Sequence, residues 1–225
     1  MLQIGHRAAA GYATENSAQA IKKALELRVN MIEIDVRKCA TGELVIFHDK
    51  KIDRLTTGSG LISELSLSEL KSIATPDGQK ILTLAEALAL IRGRSLVNLH
   101  LKTKNIVRPL MQIISDAITG KDWSIRHFLI SSFNAKDLKK IKKIDKRIRV
   151  GLLYYRNILS IVRRARKLSA YSVHLHRRLL QKKLIDKLKK YGIKTFIWTL
   201  NNDEDIDRAR ALKVDGVISD FPDRV

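Results

Sequence analysis

The 225-residue chain has a single cysteine, Cys39. An intramolecular disulfide and a cysteine-built zinc site are therefore excluded, and a reducing, cytoplasmic compartment is the expected one. Hydrophobic residues make up 45% of the chain, enough for a core, yet no run of 18 or more of them occurs, so no transmembrane helix is expected. The opening residues, MLQIGHRAAAGYATEN, lack the basic and apolar regions of a secretion signal. No Gly-x-Gly-x-x-Gly turn follows the first strand-like run, which argues against a dinucleotide-binding open sheet. Internal repeats, low-complexity tracts and linkers are also missing, so one domain over residues 1–225 is expected.

Acidic residues are scarce. Lys and Arg number 43 against 23 Asp and Glu, a formal net charge of +20. Residues 134–191 alone hold 20 basic residues against three acids, Asp137, Asp145 and Asp186, so this segment carries +17 of that total. Such asymmetry suits an anionic partner, although a row of solvated helix faces explains it equally simply. If the flank has a partner, an anionic membrane surface is expected and nucleic acid is not.

What is present is alternation. Strand-like runs at 2–5, 31–36, 44–47, 96–101, 127–131, 149–153, 171–175, 193–198 and 215–218 are interleaved with helix-like spacing at 16–28, 83–92, 105–118, 135–145, 157–168, 178–190 and 203–212. Asn16 or Thr14 could cap the first helix, and NNDEDIDRA places acids in the first turn of the last. Regular β/α alternation predicts a parallel sheet covered by helices, and about eight units at this length fit a (β/α)8 TIM barrel. The ninth strand-like run, 44–47, follows 31–36 after so short a turn that the two must be antiparallel neighbours. Residues 50–80 break the rhythm as a polar insertion with one short helix.

Barrel strands are covered on both faces and should be almost wholly apolar, so their polar residues are informative. In MIEIDVR, Glu33 and Asp35 share one face. Two adjacent carboxylates need a cation between them: a hard divalent metal, or an Arg or Lys from a neighbouring strand. A hairpin turning near 40–41 pairs 33 with 48 and sets His48 beside Glu33. His6 and Arg7 end the first strand, and LVNLHLKTK puts Asn98, His100 and Lys102 on one face. Strand ends converge at one mouth, where two histidines, two carboxylates and several cations describe acid–base chemistry on a phosphate beside a metal.

The run from GHRAAAGYATENSAQ through MIEIDVR and IFHDKKIDRLTTGSG, continued by LTLAEAL, LKTK, SSFNAKDL and WTLNNDEDIDRARALKVDGVISDFPD, resembles the glycerophosphodiester phosphodiesterases. The resemblance spans nearly the whole chain and is weakest over about 150–190. It implies a (β/α)8 barrel with a small insertion after the His-Asp motif. It also implies hydrolysis of a small-molecule phosphodiester to glycerol phosphate and an alcohol, with a divalent metal, Mg²⁺ or Ca²⁺. By the same resemblance His6 and His48 are the acid–base pair, Glu33 and Asp35 bind metal, Arg7 and Lys102 lie near the phosphate, and Trp198 borders the substrate.

Two positions depart from the family pattern. Ala8 stands where the family has Gly, a change expected to be harmless unless the backbone there needs positive φ. His100 stands where the family has a third metal-binding carboxylate. As a neutral imidazole ligand it would favour Mn²⁺, Co²⁺ or Zn²⁺ over harder cations; as a mere hydrogen-bonding group it would leave two carboxylates and water to hold the ion. Loss of that carboxylate, with the basic segment, also leaves open a catalytically weak relative that binds membranes or nucleic acid through its flank.

Overall fold

Nine strands form one sheet in the computed structural model, which describes residues 1–155 and 160–225. They are β1 (Leu2–Gly5), β2 (Met31–Lys38), β3 (Leu44–Ile46), β4 (Leu96–Leu101), β5 (Phe128–Ser132), β6 (Arg149–Tyr154), β7 (Ser172–His176), β8 (Lys194–Trp198) and β9 (Gly216–Ser219). Eight of them run parallel in the order β1-β9-β8-β7-β6-β5-β4-β2, and β1 pairs with β2 to close the ring. This is the eight-stranded parallel barrel that the alternation predicts.

The extra strand is β3, antiparallel to β2. It pairs with β2 at Val36–Lys38, beyond the point where β1 has ended against Met31 and Ile32. Its register differs from expectation by one residue. Val36 faces Ile46 and Lys38 faces Leu44, so the turn is centred on Thr41 and closed by Cys39 N–H donating to Glu43 O at 3.0 Å. That register sets position 34, not 33, against 48. The ladder has in any case ended at Ile46, so His48 reaches the barrel mouth on the following loop. There the Arg37 guanidinium donates to the His48 carbonyl from Nε (3.0 Å) and Nη2 (2.6 Å).

Helices α1 (Ala18–Glu26), α2 (Leu67–Ser72), α3 (Leu84–Ile91), α4 (Val107–Thr119), α5 (Ala135–Ile144), α6 (Ile161–Lys167), α7 (Lys182–Lys190) and α8 (Asp203–Ala211), with short 3-10 turns at Ile125–His127, Arg177–Leu179 and Pro222–Arg224, complete the described elements. The start expected for the sixth helix, at 157, lies outside the described residues. The cap of α1 is Ser17, whose hydroxyl accepts from Ala20 N, rather than Asn16 or Thr14. Asn16 is held at φ 55°, and its side chain is committed to Asp35 instead. The last helix starts as the sequence indicates, with Asn202 accepting from Asp205 N and three acids in its first turn, where they complement the positive end of the helix dipole.

Apolar packing forms three clusters. The largest lies between strands and helices, from Ile32 and Ile34 round to Ile197 and Val217. A second plugs the barrel interior with Ile4, Met31, Leu129, Phe196 and Ile218, which leaves the polar inward positions above it. The third serves the insertion: Phe47, Ile52, Ile62, Leu70 and Ile81 pack around buried Cys39 and Val45.

Candidate active site

All eight residues singled out in the sequence line one cavity of ≈ 260 Å³: His6, Arg7, Glu33, Asp35, His48, His100, Lys102 and Trp198. Parallel pairing explains the convergence. Glu33 is in register with Asn98 and Asp35 with His100 on the adjacent strand, so their side chains leave the same side of the sheet at the same height.

The centre of the cavity is a three-residue cluster. One ligand-type atom each of Glu33, Asp35 and His100 lies within 4.8 Å of the other two. His100 Nδ1 is 3.1 Å from Asp35 Oδ1 and 3.5 Å from Glu33 Oε1. The other oxygen of each carboxylate is already engaged: Glu33 Oε2 accepts from the Arg7 backbone N–H at 2.8 Å, and Asp35 Oδ2 accepts from Asn16 Nδ2 at 3.1 Å. Such outer contacts fix the free oxygens toward one point. Neighbouring ligands of an octahedral ion at about 2.1 Å stand about 3 Å apart, so this donor set fits a small divalent cation.

Neutralisation by the neighbouring Arg7 and Lys102 alone is incomplete. Arg7 Nε and Lys102 Nζ each stand 3.6 Å from an Asp35 oxygen, too far for a direct hydrogen bond. Burial by itself would push Asp35 upward, but the His100 hydrogen bond, with the charges of His100, Lys102 and His48, holds its carboxyl well below the usual range. Burial likewise works against a charged His100, yet its hydrogen bonds to Asp35 and Glu33 leave its pKa raised.

His6 and His48 each rest on a carboxylate through Nδ1. His6 Nδ1 is 2.6 Å from Asp220 Oδ1, and Asp220 Oδ2 accepts from Asn201 Nδ2 at 2.6 Å. His48 Nδ1 is 2.7 Å from Asp49 Oδ1. A chain of ion pairs runs on from there: Asp49 to Arg54 Nε at 2.5 Å, Arg54 Nη2 to Glu15 at 2.6 Å, and Glu15 to Arg7 Nη1 at 2.7 Å. His48 is thereby linked to the arginine beside the carboxylates. Burial lowers the His48 pKa, and Lys102 and Arg7 add to this against the opposing pull of Asp35 and Asp49. The balance favours the neutral imidazole of His48. Asp220, pushed up by burial, is brought below the usual carboxylate range by the His6 hydrogen bond and by Asn201.

Glu15, Asp49, Arg54, Asn201 and Asp220 were not singled out in the sequence, and Asn16 was named there only as a possible helix cap. All six lie inside the motifs quoted above, but Asp220 is 214 residues from His6, and only barrel closure through β1–β9 pairing brings them together.

Ala8 does sit where positive φ is needed. Arg7 has φ 47° and Ala8 φ 74°, so the substitution is not the harmless one expected. The backbone there is pinned by Ala8 N–H donating to Glu33 O at 2.8 Å. A Cβ on Gly5 would come within 1.9 Å of Ala8 O, so Gly5 admits this turn while Ala8 is strained by it.

The opposite rim is aromatic. Trp198 Nε1 donates to His174 O at 3.2 Å, and its ring meets Phe133, Tyr155 and His176 at centroid distances of 6.0, 6.3 and 5.0 Å. Below it, His174 is fully buried, bonded through Nε2 to Ser172 Oγ at 2.9 Å, with its pKa pushed by burial down to about 3.

A model of the glycerophosphoryl diester phosphodiesterase family matches residues 6–224. The chain belongs to this family. With it the chain joins the hydrolases of phosphoric diesters. It is 33% identical to the glycerophosphodiester phosphodiesterase of Caldanaerobacter subterraneus subsp. tengcongensis, over 99% of this chain and 95% of that protein. Among solved structures, a phosphodiesterase of Oleispira antarctica in complex with the product sn-glycerol-3-phosphate superposes with a TM-score of 0.90 at 27% identity, covering 98% of this chain and 93% of the other. The glycerophosphodiester phosphodiesterase of Thermotoga maritima gives 0.85 at 28%, covering 99% and 96%.

Proposed function

We propose that this chain hydrolyses glycerophosphodiesters to glycerol phosphate and an alcohol by two-histidine acid–base catalysis beside a divalent metal. The observation that carries this reading is the meeting, in one cavity, of two carboxylate-backed histidines with the Glu33–Asp35–His100 cluster. Glu33, Asp35 and His100 hold the ion. When bound, it supplies charge stabilisation at the phosphoryl oxygens.

The chain's own residues do the rest. Asp220 and Asp49 hold the Nδ1 protons of His6 and His48, which leaves each Nε2 available to the substrate. One imidazole removes a proton from the attacking hydroxyl, of water or of the glycerol beside the phosphodiester; the other protonates the departing alkoxide. Arg7 and Lys102 face the phosphoryl charge, and Trp198 borders the substrate. With a His in place of the third carboxylate, the site favours Mn²⁺, Co²⁺ or Zn²⁺ over Mg²⁺ or Ca²⁺ more than a three-carboxylate site does.

A colour-coupled assay for glycerol phosphate release from glycerophosphocholine tests the reading. Turnover that EDTA abolishes and a divalent metal restores is expected. No turnover with any metal or diester would favour the catalytically weak relative, which the completeness of the site argues against.

The reading includes a cytoplasmic location and a docking flank. No helix among the described residues is long and apolar enough to cross a membrane. Helices α5, α6 and α7 are successive on the outer wall, and grooves between them are lined by Lys139, Lys142, Lys143, Lys146 and Lys167, and by Arg163, Arg166, Lys183 and Lys187. Their ammonium and guanidinium groups suit an anionic bilayer surface, at about 1 kcal/mol for each cation brought near it. Salt-sensitive co-sedimentation with anionic vesicles is expected; indifference to them at low salt overturns the docking role.

A further inference from the structure

A second cleft opens beside the reaction site. It has a volume of ≈ 460 Å³ and shares His100, Lys102 and Phe133 with the main cavity. Its own contribution is Lys104 and Lys136, with the polar side chains of Thr103, Ser132 and Asn134 between them. Both lysines are exposed. Among the described residues neither ammonium has an ion-pair partner, whereas Lys102 already stands 3.6 Å from Asp35.

One acid lines the cleft, and it is committed elsewhere. Asp137 is 5% exposed, accepts from Asn134 Nδ2 at 2.6 Å and lies 3.8 Å from Lys140 Nζ, which is not a cleft residue. The cleft is thus a pocket of uncompensated positive charge, continuous with the place where the diester reacts. Phe133, 51% exposed, lines both spaces and is held against His100 and Trp198 at ring distances of 5.8 and 6.0 Å. Its face offers an apolar surface along which a short carbon chain can pass from one space to the other.

Resting on the hydrolase reading above, we propose that this cleft is a second anion subsite, in which Lys104 and Lys136 receive a phosphate or carboxylate carried by the alcohol half of the substrate. The preferred substrates are then glycerophosphodiesters whose alcohol bears a second negative group. Alcohols that bear only an ammonium are disfavoured, because they bring a cation toward three lysines.

The test is a pair of substrates that differ by one carboxylate, glycerophosphoserine and glycerophosphoethanolamine, assayed with the intact metal-loaded chain. The wild type should prefer glycerophosphoserine in kcat/KM by about five- to tenfold at low salt, as two exposed charge contacts allow. The double variant Lys104→Gln/Lys136→Gln should lose that preference through KM. A control that removes two other exposed charges, Lys121→Gln/Lys213→Gln, should keep it. Equal kcat/KM for the pair in the wild type overturns the subsite. So does a ratio that survives in the Lys104/Lys136 variant, or one that falls equally in the control, which would assign the preference to overall charge. Absence of turnover with every diester overturns the hydrolase reading instead; the subsite is then judged by calorimetric binding of the same two compounds, where equal affinities overturn it.

Discussion

The two halves of the barrel mouth are built on opposite principles. On the side of β1, β2 and β4 the charged side chains are held in polar pairs, His6 on Asp220, His48 on Asp49, Arg7 on Glu15 and Asp35 on Asn16, while Arg7 Nε, Asn98 Oδ1 and His100 Nε2 are buried without a hydrogen-bond partner. On the side of β5 to β8 the rim is made of rings, with Phe133 and Tyr155 exposed by 51% and 44%. A charged site must fix its groups in advance, because each unpaired buried charge is costly and each misplaced one loses transition-state stabilisation. An aromatic rim pays no such penalty and tolerates varied partners. Under the proposed function the first half would serve the reaction and the second the choice of substrate.

The comparison is broken most severely at the histidines. His6→Ala and His48→Ala should each lower kcat by two or more orders of magnitude with the fold intact by circular dichroism. Near-normal turnover in either variant would remove that residue from the chemistry. Next comes Asp220→Asn, which keeps the shape but not the charge behind His6. A fall in kcat of about tenfold or more with little change in KM is expected; a change confined to KM would make Asp220 a substrate contact instead.

On the aromatic side the effect should be smaller and of another kind. Phe133→Ala should raise KM several-fold and leave kcat within about twofold, since it removes binding surface rather than a reacting group. Should kcat fall as far as in the histidine variants, the division between the halves is wrong. The smallest effect concerns stability. Ala8→Gly relieves a left-handed residue that costs about 1–2 kcal/mol, partly offset by the greater freedom of glycine in the unfolded chain. Urea unfolding should report a net gain of about 0.5–1 kcal/mol, and a loss would mean that the Ala8 methyl contributes more by packing than its backbone costs.

Much of this was legible in the sequence because barrel strands obey a strict two-residue alternation. Glu33 with Asp35, and His100 with Lys102, could be placed on one face without knowing the partner strands. The antiparallel identity of 44–46 followed from a turn too short for a crossover. What local pattern could not supply was register and distance. The β2–β3 pairing slipped by one because β3 is buried at every position and β2 at all but its last, so no hydrophobic alternation pins the register, and the turn centre at Thr41 is set by the Cys39 N–H bond to Glu43 O. The Asp220–His6 contact depends on closing a ring through β9, which no window of sequence contains. The positive φ at Ala8 was hidden because alanine occupies a position whose conformation glycine would have announced.

The central claim is that Glu33, Asp35 and His100 bind one divalent ion, and titration calorimetry of the metal-free chain tests it most directly. Mn²⁺ should bind at a single site and more tightly than Mg²⁺, the Glu33→Gln/Asp35→Asn variant should lose that binding, and His100→Glu should narrow the gap between the two metals by strengthening Mg²⁺. Mn²⁺ affinity that is unchanged in both variants would contradict the account.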